Sequence, residues 1–214
     1  MGGDARYREL FDYENLVRAQ PIDVPHGWAD LPEYLEDLAL ALNRMHLLNT
    51  HPVGQSLRQG SQVELELDRS PEPAIRAFAQ AIDRPIRDYI RMAGNGDDPL
   101  RRRNTGRYRL KGAWSVRLRP HGFHVNHFHP EGGLSSACYI QLPTSVNESP
   151  HEGWLQFGEP GFPIRPRLPA EHFIKPEPGL LALFPWYMWH GTVPFAGKPN
   201  EARLTIAFDV LPIN

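Results

Sequence analysis

The sequence predicts an α+β fold that is mainly β: a double-sheet jelly roll with helices from the N-terminal part packed on a sheet. Two observations carry this. Apolar residues recur at helical spacing in the first hundred residues, whereas from Gly112 onward the pattern turns to short alternating or apolar runs. Proline is also abundant, 22 of 214 residues, and 18 glycines add to it, which favours many turns between short strands. This length fits one domain, 1–214, with 1–111 as a helical layer and 112–214 as the β core.

Residues 30–46 place Leu31, Tyr34, Leu35, Leu38, Ala41, Leu42 and Met45 along one helical face. Residues 73–92 do the same with Ile75, Phe78, Ile82, Ile86, Tyr89 and Ile90. Pro85 has no N–H and crowds the preceding turn, so it should kink this second helix or split it in two. The polar run 94–99 ends the helical part. Arg101, Arg102 and Arg103 read as a solvated turn, because one basic triplet in a nearly neutral chain is weak ground for a phosphate contact. Eight strand candidates follow: 113–119, 123–129, 134–142, 153–157, 172–175, 180–184, 188–193 and 203–210. Eight strands with glycine and proline turns suit two packed sheets.

Charge and cysteine content narrow the function classes. With Lys+Arg 23 against Asp+Glu 25, the formal charge of -2 gives no electrostatic reason to expect nucleic acid or an anionic membrane. A small or peptide-like partner fits better. The single cysteine, Cys138, cannot form an internal disulfide, and neither a signal peptide nor a twenty-residue apolar span is found, so a cytoplasmic protein is expected. Gly2 is followed by Arg6 where a myristoylation signal needs Ser or Thr. Gly-rich phosphate loops, a Gly-x-Ser-x-Gly elbow and Cys-x-x-Cys are all missing.

Four of the ten histidines lie between His121 and His129. On a strand, successive side chains point to opposite faces, so His127 and His129 share a face and can share a metal ion. His124 and Asn126 should then face the other way, and His121 precedes the strand. The third ligand is expected from His190, just after the apolar run 180–184; His151 and His172 lie in more polar, proline-flanked surroundings. Structural zinc sites usually close their shell with cysteines, and only Cys138 exists, so an open catalytic site is the expectation. On the last strand, Leu204, Ile206, Phe208 and Val210 occupy one face, with Arg203 and Thr205 on the other. A guanidinium with a neighbouring hydroxyl suits a carboxylate.

The order His127-x-His129, His190, Arg203-x-Thr205 resembles the iron(II) and 2-oxoglutarate dependent oxygenases, whose double-stranded β-helix carries His-x-Asp/Glu, a distal His and a downstream Arg. Trp114-Ser115-Val116-Arg117-Leu118, His127-Phe128-His129-Pro130, residues 134–143 and residues 179–185 are similar to the branch of that family often found behind tetratricopeptide repeats. The likeness is clearest over 112–211, and the chain has no repeat array. It implies Fe(II) on His127, His129 and His190, with 2-oxoglutarate and O2 as co-substrates. Arg203 and Thr205 would hold the far carboxylate of 2-oxoglutarate, and Tyr139 would assist. Succinate and CO2 would be released, and a peptide or protein side chain or a small metabolite hydroxylated. The departure is His129, which stands where the family has a carboxylate; Glu131 is the alternative oxygen donor. Two rival readings are a cupin-like three-histidine dioxygenase without 2-oxoglutarate, and a non-catalytic domain binding peptide through Trp114, Trp154, Trp186, Tyr187 and Trp189. The cupin pattern fits less well, because its glutamate would fall on Gly133 or Leu134.

Overall fold

The computed structural model describes residues 6–47 and 54–213; the Gly2 reading lies outside them. In chain order the elements begin with α1 (Arg6–Leu10), α2 (Tyr13–Leu16), β1 (Arg18–Pro21), α3 (Leu31–Met45), β2 (Leu57–Glu64) and α4 (Pro73–Ala93). They continue with β3 (Tyr108–His124), β4 (Leu134–Gln141), α5 (Ser145–Glu148), β5 (Leu155–Phe157), β6 (His172–Ile174), β7 (Leu180–Pro185), β8 (His190–Thr192) and β9 (Arg203–Pro212). A six-stranded sheet runs β1-β7-β4-β9-β3-β2 and a three-stranded sheet runs β6-β5-β8. Every ladder is antiparallel. This is the jelly roll the sequence predicts, with α3 and α4 packed on the large sheet.

Alternation on β9 sets the two sides of that sheet. Leu204, Ile206, Phe208 and Val210 join one apolar cluster with Tyr34, Leu38 and Leu42 of α3 and Phe78, Ile82 and Ile86 of α4. Phe78 meets Phe208 edge-on, with ring centroids 6.0 Å apart. The intervening residues, Arg203, Thr205, Ala207 and Asp209, line a cavity of about 550 Å³ between the sheets. One strand therefore divides core from cleft by its period of two.

Four local readings change. Helix α4 continues through Pro85 for 21 residues without splitting. Proline deprives the Ala81 carbonyl of its helical donor, and the Asp23 N–H supplies one at 2.9 Å. The strands β1 and β2, not expected from the sequence, form the two edges of the large sheet. Exposure and Pro21 in β1, and a bulge at Gln59 (φ 55°) in β2, hide the alternation that reveals inner strands. The run 123–129 is not a strand: β3 ends at His124, and His127 then forms an isolated bridge with His190. The chain leaves β2 here and crosses to the small sheet, a corner that ends regular pairing. Arg101–Arg103 is a 3-10 turn, but Arg101 pairs with Asp98 at 3.0 Å and Arg103 donates to the Gly132 carbonyl at 2.9 Å.

Candidate metal centre

His127 and His190 exchange both backbone hydrogen bonds at 2.9 Å, as directly opposed residues of an antiparallel pair do. Two residues on, the His129 N–H donates to the Trp186 carbonyl at 3.0 Å; a continued ladder would use Met188 instead, but a turn at 186–188 intervenes and the pairing stays a single bridge. The three rings face one another. Centroids lie 4.3 Å apart for His127 and His190, and 5.2 Å for each of the pairs with His129. One nitrogen from each falls within 4.8 Å of the others. Close approach of the backbones is required: a Cβ on Gly191 would stand 2.9 Å from the His124 carbonyl, inside contact distance.

Hydrogen bonds determine which nitrogens are available. Nδ1 of His127 bonds the Val125 carbonyl at 2.8 Å, and Nδ1 of His190 bonds the Met188 carbonyl at 2.9 Å. Nδ1 of His129 bonds Oδ1 of Asp209 at 2.7 Å. A carbonyl or carboxylate only accepts, so each Nδ1 carries a proton and each Nε2 is the nitrogen left to face a metal ion. Burial, with the neighbouring imidazoles, lowers His127 to about 4 and pushes His190 well below the usual histidine range. Three imidazoles that turn Nε2 toward one point can hold a divalent ion of the first transition row, and fixed Nδ1 partners hold the rings for it.

Arg203 lines the same cavity and is 2% exposed. Its Nε donates to the Gly153 carbonyl at 3.0 Å, and its guanidinium lies 5.1 Å from the centroid of the Tyr139 ring. Among the described residues it has no carboxylate partner, and burial lowers its pKa. A buried, unpaired guanidinium facing a cavity is set to receive an anion. Thr205 lines the cavity beside it. Tyr139 does not: its hydroxyl is buried with no hydrogen-bond partner, its pKa is pushed up to about 12 by burial, and its ring face supports the guanidinium.

Other residues weighed from sequence fall elsewhere. His121 is exposed on a bulge with φ 65°. His124 does not point away from the cleft; it lines it, with its ring stacked 5.8 Å from that of His127 and Nδ1 bonded to Ser56 Oγ at 2.8 Å. Strand β3 ends at His124, so the alternation that argued otherwise does not run on to His127. Asn126 accepts from Gln156 at 2.9 Å. Glu131 pairs with Lys111 at the rim. The five aromatic residues do not make one surface: Trp114 lines the cleft, Trp186 stacks edge-on with Tyr187 toward Phe11, and Trp154 packs on His151. Asp209 was missed in the sequence, although it stands six residues after Arg203 on the same face of the strand.

Residues 112–209 match the family described as "Putative 2OG-Fe(II) oxygenase". That segment holds all three histidines, Arg203 and Asp209. Solved structures share the fold. A Pseudomonas putida prolyl-4-hydroxylase is 17% identical, with 96% of this chain and 97% of that one covered, at a TM-score of 0.60. A Trichoplax adhaerens prolyl hydroxylase, in complex with a hypoxia inducible factor peptide, is 14% identical, with 97% and 90% covered, at 0.58. HygX from Streptomyces hygroscopicus, with nickel, 2-oxoglutarate and hygromycin B bound, is 17% identical, with 96% and 87% covered, at 0.55. No curated protein matches the chain.

Proposed function

We propose that this chain, with a 2OG-Fe(II) oxygenase core over residues 112–209, is an iron(II)- and 2-oxoglutarate-dependent hydroxylase. The supporting observation is the pairing of three convergent imidazoles with a buried, unpaired guanidinium in one cavity. His127, His129 and His190 would hold iron(II), which would supply the O2-dependent oxidation coupled to decarboxylation of 2-oxoglutarate. The protein's own residues perform the positioning. Nδ1 anchors on Val125, Met188 and Asp209 fix the ring planes, and Arg203 with Thr205 takes the far carboxylate, orienting the keto-acid end toward the histidines. Tyr139 keeps the guanidinium in place from behind.

A three-histidine dioxygenase without 2-oxoglutarate would leave the Arg203 charge buried without an anion, which is costly. A purely peptide-binding role would give no reason for three free Nε2 atoms to converge. The substrate is a peptide or protein side chain or a small metabolite, matching the range among structural neighbours, of which one holds a peptide and another hygromycin B. None of the described helices is long and apolar enough to cross a membrane. Anaerobic titration with iron(II) and then 2-oxoglutarate tests the reading: a weak visible charge-transfer band is expected. A flat spectrum together with no succinate release would overturn it.

A further inference from the structure

His129 is the one candidate ligand whose Nδ1 is anchored on a charged group. His127 and His190 lean on neutral carbonyls, whereas His129 leans on Asp209 at 2.7 Å. Asp209 is 8% exposed, and its Oδ1 also accepts from Ser135 Oγ at 3.3 Å. Lys111 is its cross-strand neighbour on β3, but the Lys111 ammonium turns outward to Glu131. Among the described residues, the only cationic or cation-capable partner of Asp209 is therefore the His129 ring. A buried carboxylate is costly unless a strong donor meets it, and an imidazole N–H becomes such a donor when the opposite nitrogen holds a cation.

We propose that Asp209 is a positioning residue that delivers to the metal, through the imidazole of His129, the negative charge that a carboxylate ligand would deliver directly. The proposal rests on the oxygenase reading for the identity of the metal and goes beyond it in assigning Asp209. A carboxylate on Nδ1–H makes Nε2 a stronger donor and fixes its tautomer. A divalent ion, three neutral imidazoles and Asp209 carry the same total charge as a divalent ion with two imidazoles and one carboxylate. The charge has moved one ring outward.

The test combines Asp209→Asn, which keeps an acceptor for Nδ1–H and removes the charge, with His129→Asp, which puts a carboxylate at the ligand position. In the otherwise native protein, Asp209→Asn is expected to weaken iron(II) about 10–100-fold. It should also move the charge-transfer band of the 2-oxoglutarate complex to higher energy, since less negative charge reaches the iron. In the His129→Asp background, Asp209→Asn should leave affinity unchanged or improve it, because two carboxylates no longer face each other. Equal losses in both backgrounds, or no change of affinity and band in the native background, would overturn the proposal, as would loss of the thermal unfolding transition in both Asp209→Asn and Asp209→Glu. If the native protein gives no charge-transfer band, the oxygenase reading fails by itself. Nickel(II) affinity in the same four proteins, read by calorimetry, still decides whether Asp209 acts through His129.

Discussion

Replacing Arg203 by methionine should separate anion binding from folding, because the two respond in opposite senses. In the ligand-free protein the guanidinium is 2% exposed and has no carboxylate partner among the described residues, so its burial is a cost the fold carries. Exchanging a buried charge for an apolar side chain of similar length is often neutral or stabilising by roughly 1–4 kcal/mol. The gain here is reduced by about 1 kcal/mol because the Gly153 carbonyl loses the Nε donor. A chain of this size shifts by roughly 2–4 °C per kcal/mol, so the melting temperature of Arg203→Met should hold within a few degrees or rise. For 2-oxoglutarate the sign reverses. Truncating one partner of a buried charge pair costs about 2–5 kcal/mol, hence roughly 30-fold to several thousand-fold in affinity. Calorimetric titration of the nickel-loaded protein with 2-oxoglutarate measures that loss, and nickel affinity itself should change less than about threefold. Undiminished 2-oxoglutarate affinity would refute the clamp. Parallel collapse of melting temperature, metal affinity and co-substrate affinity would refute the separation and make Arg203 a structural residue.

Three further outcomes follow from the geometry. His190→Ala should abolish iron(II) binding at micromolar metal while the unfolding transition persists; retained stoichiometric iron, measured by metal analysis after gel filtration, would remove His190 from the ligand set. Gly191→Ala should weaken metal binding by about tenfold or more with intact 2-oxoglutarate contacts, because the new methyl group would press on the His124 carbonyl and Asn126 and move the bridge that pairs His127 with His190; unchanged metal affinity would show that the bridge can shift without cost. Finally, the metal-free protein should lose stability as pH falls from about 6.5 to about 4. His46 is buried between Ser61 and Ser115, and burial, aided by Arg117, lowers it to about 4. Between those values the unfolded chain takes up a proton that the folded chain refuses, which costs up to roughly 3 kcal/mol and is absent above pH 6.5. His127 and His190 add in the same direction. Denaturant midpoints measured against pH in wild type and His46→Gln check this, and identical slopes would exclude His46 as a contributor.

What could be read from the sequence was whatever depends on alternation within one segment. Strand β9 shows this: its residues reveal unaided that Arg203 and Thr205 leave the core face together. The same alternation reaches Asp209, whose role was invisible because its partner, His129, lies 80 residues away and depends on how β9 meets the sheet corner. His127 and His129 were paired by assuming a regular strand that the fold does not contain. Their rings still converge, because two separate backbone contacts hold the segment: the two-way bridge of His127 with His190, and the His129 N–H on the Trp186 carbonyl. The assumption fails at His124, where the strand ends, so that the parity linking it to His127 is lost and a fourth imidazole lines the cleft. Pro85 fails as a helix breaker for a related reason: the carbonyl it orphans finds the Asp23 N–H, a donor supplied from outside the helix. For Pro85 and for the bridge of His127 with His190 the deciding group is a backbone atom contributed by a distant segment, and for Asp209 it is a distant side chain. Side-chain periodicity in the sequence can locate a face, but it cannot register such a donor or acceptor, and the residues it misplaces here are those that sit where two sheets exchange partners.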